Sequence, residues 1–275
     1  MLIRLFVLLG FFTLQSFGLA PKLEKQIFQL IDATQYSKHK RLIETIFADE
    51  TPFFIDEHID TIKLIETLKE NGLLKLYHDA PLMNRVTFTT GGNAQFFVKL
   101  LRDTLQSIGY YRYFTRKAVR ENSTFFWEIE FMSEYSIDPI VLQKALEKRN
   151  CSITTIERID SSTWHYTIDI TNAHLDLQKL QPHEPLELRK SLNAYWIDVS
   201  LGEKLTIQTL RGDSWFPDVA LFDHKMHLLK SYKNEEKVSE LVMYLPKETH
   251  YIKISDIFNQ TNIKHGLKLL LEGAK

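Results

Sequence analysis

The densest concentration of binding chemistry in the chain lies between Tyr110 and Arg120. Aromatic and basic side chains mingle there as Tyr110, Tyr111, Arg112, Tyr113, Phe114, Arg116, Lys117 and Arg120. Aromatic faces stack on rings, and ammonium and guanidinium groups meet anions, so this stretch is suited to holding a ligand rather than breaking a bond. On a strand, Tyr111, Tyr113, Thr115 and Lys117 would share one face while Arg112, Phe114 and Arg116 share the other. The candidate binding residues are therefore Tyr111, Arg112, Tyr113, Phe114, Arg116 and Lys117. The competing explanation is a core face backed by a solvated one.

Other reactive residue types offer less. Cys151, the single cysteine, and His165 could form a thiol–base pair, but a lone cysteine between a helix and a strand is most often a small buried hydrophobe. His224 and His227 are three apart with no third ligand at a zinc-site spacing. Asp213, Asp218 and Asp223 repeat every five residues, without the alternating ligands and glycine of a calcium loop. Glu128 and Glu130 fall on one strand face, too close together to flank a glycosidic bond. The chain has no G-x-S-x-G, H-E-x-x-H, phosphate-binding loop or G-x-G-x-x-G. No catalytic residue, metal site or cofactor is expected.

The elements that position these residues can be read from periodicity. Residues 21–76 read as helical: Ile27, Leu30 and Ile31, then Leu42, Ile43, Ile46 and Phe47, then Ile59, Ile62, Ile65 and Leu68 keep a helical spacing. This segment is either an arm for a partner or, better, a cap packed on the neighbouring domain. Residues 77–172 carry a strand at 85–90, a Gly91-Gly92 turn and a helix capped by Asn93. Strands beginning at Tyr111 and near Phe125, a helix opened by Asp138-Pro139, and strands at 152–159 and 163–170 complete the segment. That is a β-α-β-β-α-β order plus one strand, the ferredoxin-like plan. Residues 173–194 form a polar linker, with a short helix at 186–192 as an alternative. Residues 195–275 carry short, regularly spaced strands, as in an antiparallel β-sandwich. The expected fold class is α+β in three modules.

Residues 1–20 set the expected location. Arg4 precedes an apolar run from Leu5 to Leu14, and small residues come after it at Ser16, Gly18 and Ala20, the order of a secretory signal peptide. The run is too short for the ~20 residues that span a bilayer. Cleavage fits after Gly18 or Ala20, with Pro21 disfavouring the second. No later stretch is long and apolar enough to cross a membrane, so no transmembrane span is expected after signal removal. Hydrophobic residues make up 44% of the chain and charged residues 25%, which fits a packed globular protein. Lys and Arg number 34 against 35 Asp and Glu, so no basic excess points to nucleic acid. Export with one cysteine suits a Gram-negative periplasm better than disulfide-rich eukaryotic secretion.

Two resemblances add to this reading. NAQFFVKLLRDTLQSIGY at 93–110 and EFMSEYSIDPIVLQKAL at 130–146 weakly resemble the SPOR domain, an exported ferredoxin-like family, which implies binding to peptidoglycan glycan strands. YWIDVSLGEKLTIQTLRGDSWFPDVALFDHKMHLLKS at 195–231, with ETHYIKISD at 248–256, resembles the bacterial pre-peptidase C-terminal domain. That likeness implies a non-catalytic β-sandwich assisting secretion, localisation or ligand binding. The expectation is a periplasmic, non-catalytic binding or assembly protein of a bacterial envelope structure. Its partner would be an envelope protein or peptidoglycan. An envelope enzyme with a dispersed active site is the competing class.

Overall fold

The computed structural model describes residues 19–213 and 215–273. The apolar run and most of the cleavage region of the expected signal peptide lie outside the described residues. Among the described residues the chain is mixed α/β, with five α-helices and mostly antiparallel sheets.

Helices α1 (Pro21–Ile31), α2 (Ala33–Ile46) and α3 (Thr61–Glu70) fill the expected helical stretch. A two-residue hairpin, β1 (Phe54–Ile55) and β2 (His58–Ile59), interrupts it. Pro21 opens α1, and the Asp32 carboxylate accepts hydrogen bonds from the Thr34 and Gln35 amides at the start of α2. Leu23, Ile27, Leu30 and Ile31 turn one stripe of α1 inward, each worth about 1.5–3 kcal/mol when buried. These residues share one core with a five-stranded sheet, so the segment is a packed cap.

The strands of that sheet are β3 (Tyr77–Thr90), β4 (Phe114–Glu121), β5 (Thr124–Tyr135), β6 (Ser152–Arg158) and β7 (Thr163–Asp169), in the order β4-β5-β3-β7-β6. Helix α4 (Ala94–Ser107) comes after β3, and α5 (Pro139–Glu147) after β5. The added strand, β7, lies between β3 and β6 and pairs with β3 in parallel; the other pairings are antiparallel. One face carries Val86, Phe88, Trp127, Ile129, Trp164 and Tyr166, all buried in the core that includes Phe97, Leu101 and Leu105 of α4. The other face is open and polar. At the β3–α4 turn a Cβ on Gly92 would stand 2.5 Å from the Ile170 side chain, so a larger residue there would make Ile170 shift.

Residues 173–194 are not a free linker. Leu175 and Leu180 are buried, and Leu186–Leu188 is a strand, β8, rather than the alternative helix. It pairs antiparallel with β15 (Leu267–Glu272) at the edge of a sheet. The remaining strands are β9 (Tyr195–Asp198), β10 (Lys204–Thr209), β11 (Pro217–Phe222), β12 (Leu228–Lys233), β13 (Glu240–Tyr244) and β14 (Tyr251–Asp256). They build two four-stranded antiparallel sheets, ordered β13-β10-β15-β8 and β12-β11-β14-β9. Apolar residues from both sheets share a second core around Trp215. Phe222, Met226 and Tyr251 belong to the first core instead and join the two halves. Among the described residues no helix is long and apolar enough to cross a membrane.

Candidate functional site

The structure divides the six candidate residues between two surfaces. The chain leaves α4 through Gly109, at φ 96°, and runs irregularly over 110–113, so β4 begins at Phe114 rather than Tyr111. A register shift between Thr115 and Lys117 then alters the expected alternation. Thr115 pairs with Ile129 and its hydroxyl accepts a hydrogen bond from Trp127 Nε1 at 3.1 Å. Lys117, expected on the same face, pairs with Glu128 on the open face, and its ammonium lies 5.7 Å from the Phe126 ring centroid.

Phe114, Arg116 and Lys117 therefore belong to the open side of the sheet. Phe114 is 78% exposed opposite Glu130. Arg116 stands 3.5 Å from Glu128 and 3.2 Å from Glu130, and Arg85 approaches Glu130 at 2.8 Å. Hydrogen bonding from Arg85, then Arg116, outweighs desolvation and holds the Glu130 carboxyl below the usual range. Glu128 and Glu130 thus belong to an ion-paired network with Arg85 and Arg116.

Tyr111 and Tyr113 face elsewhere. With Tyr110, Trp127 and Thr115 they line a hollow of about 340 Å³ against Val98, Arg102 and Gln106 of α4. Tyr113 packs edge-on to Trp127 at 5.8 Å. Burial pushes its phenol up despite a hydrogen bond from Arg102. Arg112 is exposed beside them.

The same three residues of α4 also line a larger cleft, about 730 Å³, between α4 and the C-terminal half. Its walls include Gln95, Lys99, Asp103 and Phe125 on one side and Asn193, Trp196, Phe222 and Lys253 on the other. Tyr195 and Ile197 point into their own core, which leaves Trp196 outward and half-buried. Phe222 braces it at 5.4 Å between ring centroids, and Lys99 lies 5.7 Å from its centroid while pairing with Asp103. The hollow and the cleft share Val98, Arg102 and Gln106 and so adjoin along α4, a groove with aromatic groups lining both parts. Sequence reasoning missed the cleft half. Its traces were a polar stripe of Gln95, Lys99, Arg102 and Gln106 at helical spacing, and one outward tryptophan on a strand with a core face.

The remaining candidates separate. Cys151 is buried in the first core, where desolvation pushes its thiol up to about 11, while His165 lies on the open face beside Thr89 and Glu157. The three aspartates do not gather: Asp213 pairs with His265, Asp218 with Ser255 and Lys233, and Asp223 with His227. Among the described residues no three His, Cys, Asp or Glu side chains converge as a metal site.

No protein-family model, curated protein or solved structure matches this chain.

Proposed function

We propose that this chain is an exported, periplasmic binding or assembly component of a bacterial envelope structure, working without catalysis through the groove along α4. In this reading the five-stranded sheet with α4 and α5 is a ferredoxin-like unit enlarged by β7. The C-terminal pair of sheets is a β-sandwich of the pre-peptidase C-terminal kind. The observation that carries the proposal is that the groove is assembled from both units and combines aromatic walls, amides and cations. Clefts between units, with convergent polar groups on an apolar floor, are the usual form of a ligand site. Its occupant is an envelope component, either protein or peptidoglycan.

The test is a photo-crosslinking residue placed at Gln106 on the groove rim, or at exposed Tyr244 as a control, in the exported full-length chain. The expected result is an envelope adduct from position 106 alone, in a periplasmic fraction released by osmotic shock. Equal labelling from both positions, or retention of the chain in the cytoplasm, would sink the proposal.

A further inference from the structure

Resting on the reading that the groove is the binding site, we infer that its ligand is an acidic oligosaccharide. A pyranose stacks on Trp196, and its carboxylate meets the cations of the cleft.

The cleft presents Lys99, Arg102 and Lys253 against the single carboxylate of Asp103. Lys99 and Asp103 pair and cancel, which leaves Arg102 and Lys253 to attract an anion. The floor is an indole held from behind by Phe222. The indole is half-buried and Lys99 lies over its ring, so a sugar's apolar face takes that plane as the ammonium shifts aside. Gln95, Gln106 and Asn193 also line the cleft, and a primary amide both donates and accepts, as a hydroxyl does. Charge selects the anion, the indole selects the ring, and the amides select its hydroxyls. The adjoining tyrosine-lined hollow, sharing Arg102 and Gln106, places aromatic side chains further along α4. The ligand is therefore longer than one sugar. An extended acidic peptide satisfies the cations but makes less use of a braced indole and of the amides lining the cleft.

Trp196 also supplies the readout. Of the four tryptophans, Trp127, Trp164 and Trp215 are 2%, 1% and 0% exposed, so acrylamide quenching reports mainly on Trp196. The full-length mature protein is titrated with a muramic-acid-containing tetrasaccharide, whose carboxylate sits on a lactyl ether, and with tetragalacturonate, whose carboxylates sit on the rings. Neutral chitotetraose and a glutamate-rich peptide serve as comparisons. Protection of Trp196 by at least one acidic sugar, and not by the neutral one, is expected, and the sugar that protects identifies the source of the carboxylate. Arg102→Ala and Lys253→Ala should each weaken that binding on the order of tenfold, equivalent to about 1.4 kcal/mol. Far-UV circular dichroism of these surface variants checks that they fold. No protection by either acidic sugar, equal protection by chitotetraose, or protection by the peptide alone overturns the inference. A groove-specific adduct in cells without sugar binding removes only this ligand class; loss of both results removes the binding reading as well.

Discussion

At the scale of single residues, Asp213 and His265 form a doubly hydrogen-bonded pair in the C-terminal half. The His265 backbone N–H donates to Asp213 Oδ2 at 2.7 Å, and its Nδ1 stands 2.7 Å from Oδ1. Burial pushes the Asp213 carboxyl up, but these hydrogen bonds and the nearby imidazole outweigh it and hold the carboxyl below its usual range. A folded-state value below the unfolded one stabilises the fold above roughly pH 4 and is lost as pH falls through the folded value. Asp213→Asn should therefore flatten the acid limb of a stability–pH curve, and cost about 1.5–3 kcal/mol near neutrality through its lost charged hydrogen bonds. An unchanged acid limb in urea melts would refute this. Cys151 yields the opposite kind of expectation. Buried and with its thiol pushed up to about 11, it should resist iodoacetamide in the native protein and react only once unfolded, as intact mass would record. A buried cysteine was legible from its place between helix and strand. The partner of Asp213 was not, because 52 residues separate it from His265 and no local pattern links them.

At the scale of elements, local periodicity disclosed most of the fold and failed where tertiary contacts override it. The seven strands from β9 to β15 track alternation and turn residues closely. The first half of β3 does not, because His78, Asp79, Pro81 and Asn84 break any apolar alternation there. That half is held by β5 across a register shift between Tyr77 and Leu82. At 111–113 the alternation was present but misleading: Tyr113 turns onto Trp127, and the chain reaches the sheet only at Phe114. The start of α1 makes a sharper prediction. The Ala20 carbonyl accepts the Glu24 amide, the Ala20 amide bonds to Glu50, and Leu19 packs partly against the first core. Processing after Gly18 keeps all three contacts, whereas processing after Ala20 removes them. With the proposed export, the mature amino terminus should be Leu19 by N-terminal sequencing; a start at Pro21 would contradict it.

At the scale of the whole molecule, the groove exists because two cores meet, which explains why the sequence disclosed only its tyrosine end. Trp196 and Lys99 come together only when the C-terminal half docks on α4. Phe222, Met226 and Tyr251 make that joint, and the Tyr251 hydroxyl accepts a hydrogen bond from the Leu175 amide. Met226→Ala should cost about 2–5 kcal/mol and uncouple the halves, splitting one calorimetric transition into two. A single transition persisting in the variant would show that the joint lies elsewhere. The parallel pairing of β3 with β7 carries a different consequence, one of timing. Thr89 meets Thr167 across 78 residues of chain, so the central strand stays open on one side until β7 has been synthesised. Contacts of such long sequence separation form slowly. A nascent chain whose central sheet closes late remains a thread for longer, the form in which a polypeptide passes through a narrow channel.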